Sequence, residues 1–138
     1  MAEKRILKIT KRQAAVAIVG TGMANVNIYE LAHPGPNAIT DTQVVTPANV
    51  SLTISDIAYD VGGSANITRG GNLVFACSAG SGEHNYTDSL GVVLNDQANA
   101  NITVNLGAVE GIMVIQFTKG AGYNDRNLQN QGPGVDPY

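Results

Sequence analysis

The most regular alternation of apolar and polar positions runs from Asp56 to Ser78, DIAYDVGGSANITRGGNLVFACS. Ala65, Ile67 and Arg69 alternate with Asn66 and Thr68, while Leu73, Phe75 and Cys77 alternate with Val74, Ala76 and Ser78, and this period of two predicts strands. Between them Gly70, Gly71 and Asn72 tolerate the positive φ that a tight hairpin turn requires. Gly62-Gly63-Ser64 predicts an earlier turn, so Ile57, Tyr59 and Val61 belong to a preceding strand and the three strands read as a meander. On this reading Ile67, Phe75 and Cys77 lie in the core, and the Gly70-Gly71 turn is exposed.

The same pattern extends in both directions. Ala14 to Val19 reads as a strand closed by Gly20-Thr21-Gly22, and Ala24 to Leu31 places Val26 and Ile28 on one face; the two are expected to pair as a hairpin. His33 to Asp41, HPGPNAITD, has two prolines and a glycine and reads as a surface contact loop. Gln43 to Thr46 is a short strand, and Asn49 to Ser55 turns Val50, Leu52 and Ile54 inward. At Asp56 the phase slips by one residue, so a β-bulge or corner near Ser55-Asp56 is required if both halves bury their apolar side chains. Tyr86 to Leu94 and Asn101 to Leu106 flank the polar turn NDQANA, with Ile102, Val104 and Leu106 inward. Ile112 to Thr118 is apolar on both faces, as in a central strand or one covered by a neighbouring subunit. About eight to ten strands separated by turn signals predict an all-β protein, an antiparallel β-sandwich or jelly roll.

Charge divides the chain more than composition does. The 138 residues suit one domain, and only 14% are charged. Residues 1–12 carry a net +4 and the remainder a net −7. Arg5 to Thr10 could be a short strand or an extended arm; its charge favours an arm, residues 1–12, laid on an acidic partner surface through Lys4, Arg5, Lys8, Lys11 and Arg12. Residues 13–119 form the sandwich. Residues 120–138, GAGYNDRNLQNQGPGVDPY, have little apolar content and read as an extended C-terminal tail, ordered only against a partner through Tyr123, Arg126 and Tyr138. The basic start followed by the short apolar run Ala14 to Val19 fits a strand better than an export signal, and no stretch approaches the roughly 20 apolar residues of a membrane span. The expectation is a soluble chain made in the cytoplasm.

Candidate chemistry adds little. The single Cys77 reads as a small buried hydrophobe, and His33 and His84 lie in predicted loops without a metal-site partner. Asp56, Asp60, Asp88 and Asp96 lack the dense spacing of a calcium loop, and the glycines at 20–22 and 69–71 precede no helix that could cradle phosphate. Asn-x-Ser/Thr triplets at Asn49, Asn66, Asn85 and Asn101 are explained by outward Asn and Thr on strands. The basic cluster has no interleaved aromatics for base stacking, so nucleic acid is an unlikely partner. No catalytic, cofactor or metal site is expected.

Three segments, EKRILKITKRQAAV, ISDIAYDVGGSANITRGGNLVFA and FTKGAGY, together resemble a family of small structural proteins from tailed bacteriophages that infect marine cyanobacteria. The resemblance implies a non-enzymatic virion protein, foremost a capsid decoration or cement subunit. Its implied partners are the major capsid protein or other virion subunits, with further copies of itself in the particle. The alternative is a receptor- or glycan-binding β-sandwich on a tail or fibre, against which the absence of Trp and the 5% aromatic content weigh.

Overall fold

A computed structural model describes residues 2–32, 44–45, 50–85, 101–120 and 122–124. Among the described residues most period-two segments become strands. They run β1 (Glu3–Ile9), β2 (Gln13–Gly20), β3 (Met23–Val26), β4 (Val44–Val45), β5 (Leu52–Val61), β6 (Ala65–Arg69), β7 (Asn72–Cys77), β8 (Gly80–Asn85), β9 (Ile102–Asn105), β10 (Gly111–Lys119) and β11 (Tyr123–Asn124). A five-stranded sheet, β1-β2-β10-β5-β8, packs on a four-stranded sheet, β3-β9-β6-β7, and β11 pairs with β4. Every pairing is antiparallel, and the fold is an all-β sandwich.

The core is aliphatic. Val16 and Ile18 of β2, Ile54 and Ile57 of β5, and Met113, Ile115 and Phe117 of β10 meet Val26, Ile67, Phe75, Ile102 and Val104 from the opposing sheet. The bulge expected at the phase slip is present: Gln116 faces Asp56 and Phe117 faces Ile54, leaving Ser55 without a cross-strand partner. The Ser55 hydroxyl donates to the Gln116 carbonyl at 3.2 Å, so the extra residue is buried with its polar group satisfied. Strand β10 is hydrogen-bonded along both edges, as a segment apolar on both faces predicts for a central position.

The β6–β7 hairpin turns at Gly70 and Gly71, whose φ values of 58° and 84° give the mirror-image turn that suits strand twist. Within it, Ile67 faces Phe75 while Thr68 faces Leu73, so Val74 is an added residue and the alternation reverses there. Phe75 and Ile67 are buried as expected, but Leu73 is 63% exposed. Cys77 is only half-buried, because β7 is an edge strand and its inward side chains are covered from one side.

Three expectations about connectivity are corrected. Strands β2 and β3 do not form a hairpin: both edges of β2 are taken by β1 and β10, and the chain crosses at residues 20–22 so that β3 pairs with β9. The second half of the predicted Ala24 to Leu31 strand is a 3-10 turn, Ile28–Leu31, capped by the Asn27 side chain, which accepts from Tyr29 N–H at 2.9 Å. The meander is also broken, since β5 belongs to one sheet and β6–β7 to the other, with the crossing at residues 62–64.

A fourth correction concerns the arm. Residues 3–9 are not an extended arm outside the sandwich; they are the edge strand of the larger sheet, paired with β2 from Glu3↔Val19 to Ile9↔Ala14. Lysine on an edge strand is compatible with pairing on one side, and it discourages pairing on the other. The contact loop at residues 33–41, the strand at 86–94, the NDQANA turn and the tail from residue 125 lie outside the described residues.

Replacing Phe75 with Ala is expected to lower unfolding free energy by about 3 to 5 kcal/mol, whereas Leu73→Ser should change it by less than about 0.5 kcal/mol. Urea denaturation of the two variants checks the reversed phase: comparable losses would place Leu73 in the core. Deleting residues 1–12 should destabilise the chain, because it strips β2 of one hydrogen-bonded neighbour. Retention of wild-type stability by that truncation would return residues 3–9 to the status of an arm.

Candidate interaction surface

The outward positions of the larger sheet line up in register rows. Arg5, Ala17, Val114, Ala58 and Glu83 form one row across its five strands. Glu3, Val19, Ile112, Asp60 and Ser81 form a second, and Lys8, Ala15, Gln116, Asp56 and Asn85 a third. The first two rows pass from the β1 margin through small or aliphatic side chains to the β5–β8 margin, and the third passes through Ala15 and the polar Gln116. Ala15 and Ala17 form a low floor beside the Ile112 and Val114 ridge, and Ile112 is 40% exposed. At one end an open depression of about 490 Å³ is lined by Val19, Asp60, Glu110 and Ile112 among others.

Charge is segregated across this face. Among the described residues, Arg69 and Lys119 are buried, so every exposed lysine and arginine side chain lies on β1 or the turn that follows it. Arg5 pairs with Glu3 at 3.1 Å, and Lys8 donates to the Gln13 side-chain oxygen at 2.9 Å. Lys11 and Arg12 sit exposed in the β1–β2 turn, where Thr10 Oγ1 accepts from Gln13 N–H at 2.9 Å and holds the chain reversal. Lys4 is drawn inward instead. It is half-buried, forms an ion pair with Glu30, and donates to the Asn25 carbonyl at 2.9 Å. Four of the five basic residues expected to meet a partner therefore share one margin, and Lys4 ties β1 to the second sheet.

The opposite margin is acidic through Asp56, Asp60 and Glu83. Partial burial raises the Asp56 carboxyl above its ordinary value, and the neighbouring Glu83 carboxyl adds to the effect by hydrogen bonding and repulsion. From the sequence, Asp56 and Asp60 read only as calcium ligands that lack the required spacing, and Glu83 carries no site reading. Their common face follows from the slip at Ser55, which turns Asp56, Ala58 and Asp60 outward together.

Tyr123, expected to anchor the tail across a subunit boundary, is an anchor within its own chain. It is buried, its hydroxyl donates to the Ile28 carbonyl at 2.7 Å, and the Lys119 ammonium lies 5.1 Å from its ring centre. Gly122, at φ +91°, passes so close to Val50 that an added Cβ would stand 2.4 Å from the Val50 Cα. Only glycine permits that approach. Arg69 completes the buried polar group: its guanidinium donates to the Leu52 carbonyl, burial lowers its pKa, and its charge partly offsets the burial that raises the Tyr123 hydroxyl. Arg126 and Tyr138 lie outside the described residues.

Among the described residues no cluster of three or more His, Cys, Asp and Glu side chains could hold a metal, and no helix is long and apolar enough to cross a membrane. His84 and Tyr59 stack at 6.3 Å between ring centres, with Phe75 edge-on to His84 at 5.2 Å, which closes one side of the sandwich. Burial raises the Cys77 thiol and keeps it protonated at neutral pH. Neither a family model nor a curated protein sequence matches this chain.

Lys119 donates to the Thr10 carbonyl at 2.7 Å, yet burial lowers its pKa from 10.5 to about 8. Between those values the unfolded chain binds the proton and the folded chain does not, so the Lys119 contribution makes folding more favourable as pH rises through that window. The stability difference between wild type and Lys119→Met should therefore shift toward wild type between about pH 8 and 10.5, measured by urea denaturation. Using the difference removes the opposing contribution of Tyr123, whose raised pKa acts at the upper end. A difference that stays flat with pH would show that Lys119 is charged and solvated in the fold.

Proposed function

We propose that this chain is a non-enzymatic structural subunit of a virus particle, a capsid decoration or cement protein that binds the phage head and stabilises it. Its partners are the major capsid protein or other virion subunits and further copies of itself. The observation that carries the reading is that, among the described residues, exposed Lys and Arg side chains are confined to β1 and its turn, opposite an acidic margin on the same sheet. Such a pattern steers and orients docking between protein surfaces and suppresses wrong registers.

The segments that carry the family resemblance support the same reading. They supply β1, the start of β2, most of β5 and the end of β10 in the five-stranded sheet, and β6 and β7 in the other. The first of them carries the basic edge strand and turn of the five-stranded sheet. Lys11 and Arg12, projecting at the end of that sheet, are the side chains assigned to the shell contact.

Immunogold labelling of intact particles should place the protein on the head, and label confined to the tail would overturn the capsid reading in favour of receptor binding. Purified full-length protein with Lys11→Glu and Arg12→Glu should bind heads at least about tenfold more weakly than wild type at low salt, with the gap closing as salt rises. Unchanged binding would remove the basic turn from the contact.

A further inference from the structure

We infer that the outer face of the five-stranded sheet is the docking surface for a second copy of this chain, related by a two-fold axis that runs parallel to β10 between the two faces. The inference rests on the assembly reading and deepens it by naming the partner, the face and the symmetry operator.

The face has the two properties that a self-complementary interface needs. Its middle is small and aliphatic, with Ala15, Ala17, Val19, Ala58, Ile112 and Val114 facing outward on β2, β10 and β5. Its margins are opposite in net charge, with Arg5 and Lys8 against Glu3 at one side and Asp56, Asp60 and Glu83 at the other.

These margins select the operator. A two-fold parallel to the strands exchanges left and right, so the β1 margin of each copy covers the β5–β8 margin of the other. Arg5 and Glu83 share a register row, and such an axis brings Arg5 of each copy toward Glu83 of its mate. Because β10 is the middle strand the axis passes over it, so Ile112 and Val114 of each copy meet the same ridge of the mate, and Ala17 on β2 meets Ala58 on β5. A two-fold across the strands would instead stack β1 on β1 and acid on acid, and edge-to-edge pairing of β1 with itself would also set basic residues side by side.

Size is adequate. Five strands spaced by about 4.8 Å and roughly 25 Å long present about 600 Å² per copy, or roughly 1,200 Å² in total, within the range of specific interfaces. Packing two sheets face to face repeats the geometry already used inside the sandwich.

Sedimentation equilibrium of the full chain, with no shell protein present, tests the inference. Wild type should form a reversible dimer with Kd below about 0.5 mM, and Arg5→Glu or Glu83→Arg alone should weaken it by about tenfold. Arg5→Glu and Glu83→Arg in the same chain should restore dimerisation to within about threefold of wild type, because each copy then presents the swapped pair to the other. Amide NMR spectra with native dispersion would establish that each variant is folded. A wild-type chain that remains monomeric, single reversals without effect, or a double variant no better than the singles would overturn the inference. A dimer that forms this way in protein with no affinity for heads would remove the shell reading and leave the interface standing.

Discussion

Strand β10 is the constraint on which the rest of the structure depends. It is hydrogen-bonded to β2 on one side and β5 on the other, and its inward Met113, Ile115 and Phe117 form the middle of the core. Because pleating fixes a period of two, those side chains stay inward only if β5 keeps register with them along its whole length. The apolar residues of β5 do not keep one phase. The bulge at Ser55 reconciles the two strands, and it does so without orphaning a buried polar group, since the serine hydroxyl is spent on the Gln116 carbonyl. The same adjustment places Asp56, Ala58 and Asp60 together on the outer face, so the acidic margin is a consequence of how the core was registered.

A second consequence comes from the buried cations. Arg69 and Lys119 lie on inward positions of β6 and β10, where each meets a backbone carbonyl and Lys119 also meets the Tyr123 ring. Burying charge this way is costly unless it is hydrogen-bonded, and the lowered pKa of both groups records that cost. Their withdrawal leaves the exposed basic side chains of the described residues on β1 and its turn. Internal anchoring and surface charge segregation are therefore coupled. Tyr123 shows the same economy, because clamping it onto Ile28 and Val50 fixes where the chain leaves β10.

The edge position of β1 explains how a basic segment can belong to the fold and still be available to a partner. One side of its backbone is paired with β2, while the lysines and arginine discourage a second strand from adding to the other. A charged edge beside a small-residue face directs association onto the face. Without the charges on β1, pairing along its outer edge would compete with the face.

Much of the architecture was legible in the sequence because strand formation is local. Alternation identified the inward sets Val50-Leu52-Ile54 and Ile102-Val104-Leu106, the glycine pair identified the β6–β7 turn, and the phase slip identified the bulge at Ser55. Which strand pairs with which was another matter. Gly20-Thr21-Gly22 and Gly62-Gly63-Ser64 serve equally well as hairpin turns or as crossings between sheets, and the choice is made by partners distant in sequence that occupy the available edges. The added residue at Val74 was hidden for the same reason, since a bulge is a relation between two strands. The sequence by itself determined the strands, their inward faces and the unequal division of charge. Only the tertiary structure decided that the basic segment is an edge strand, that Tyr123 is held within its own chain, and that basic and acidic margins share one face, because cross-strand pairing is set by the packing of the whole core.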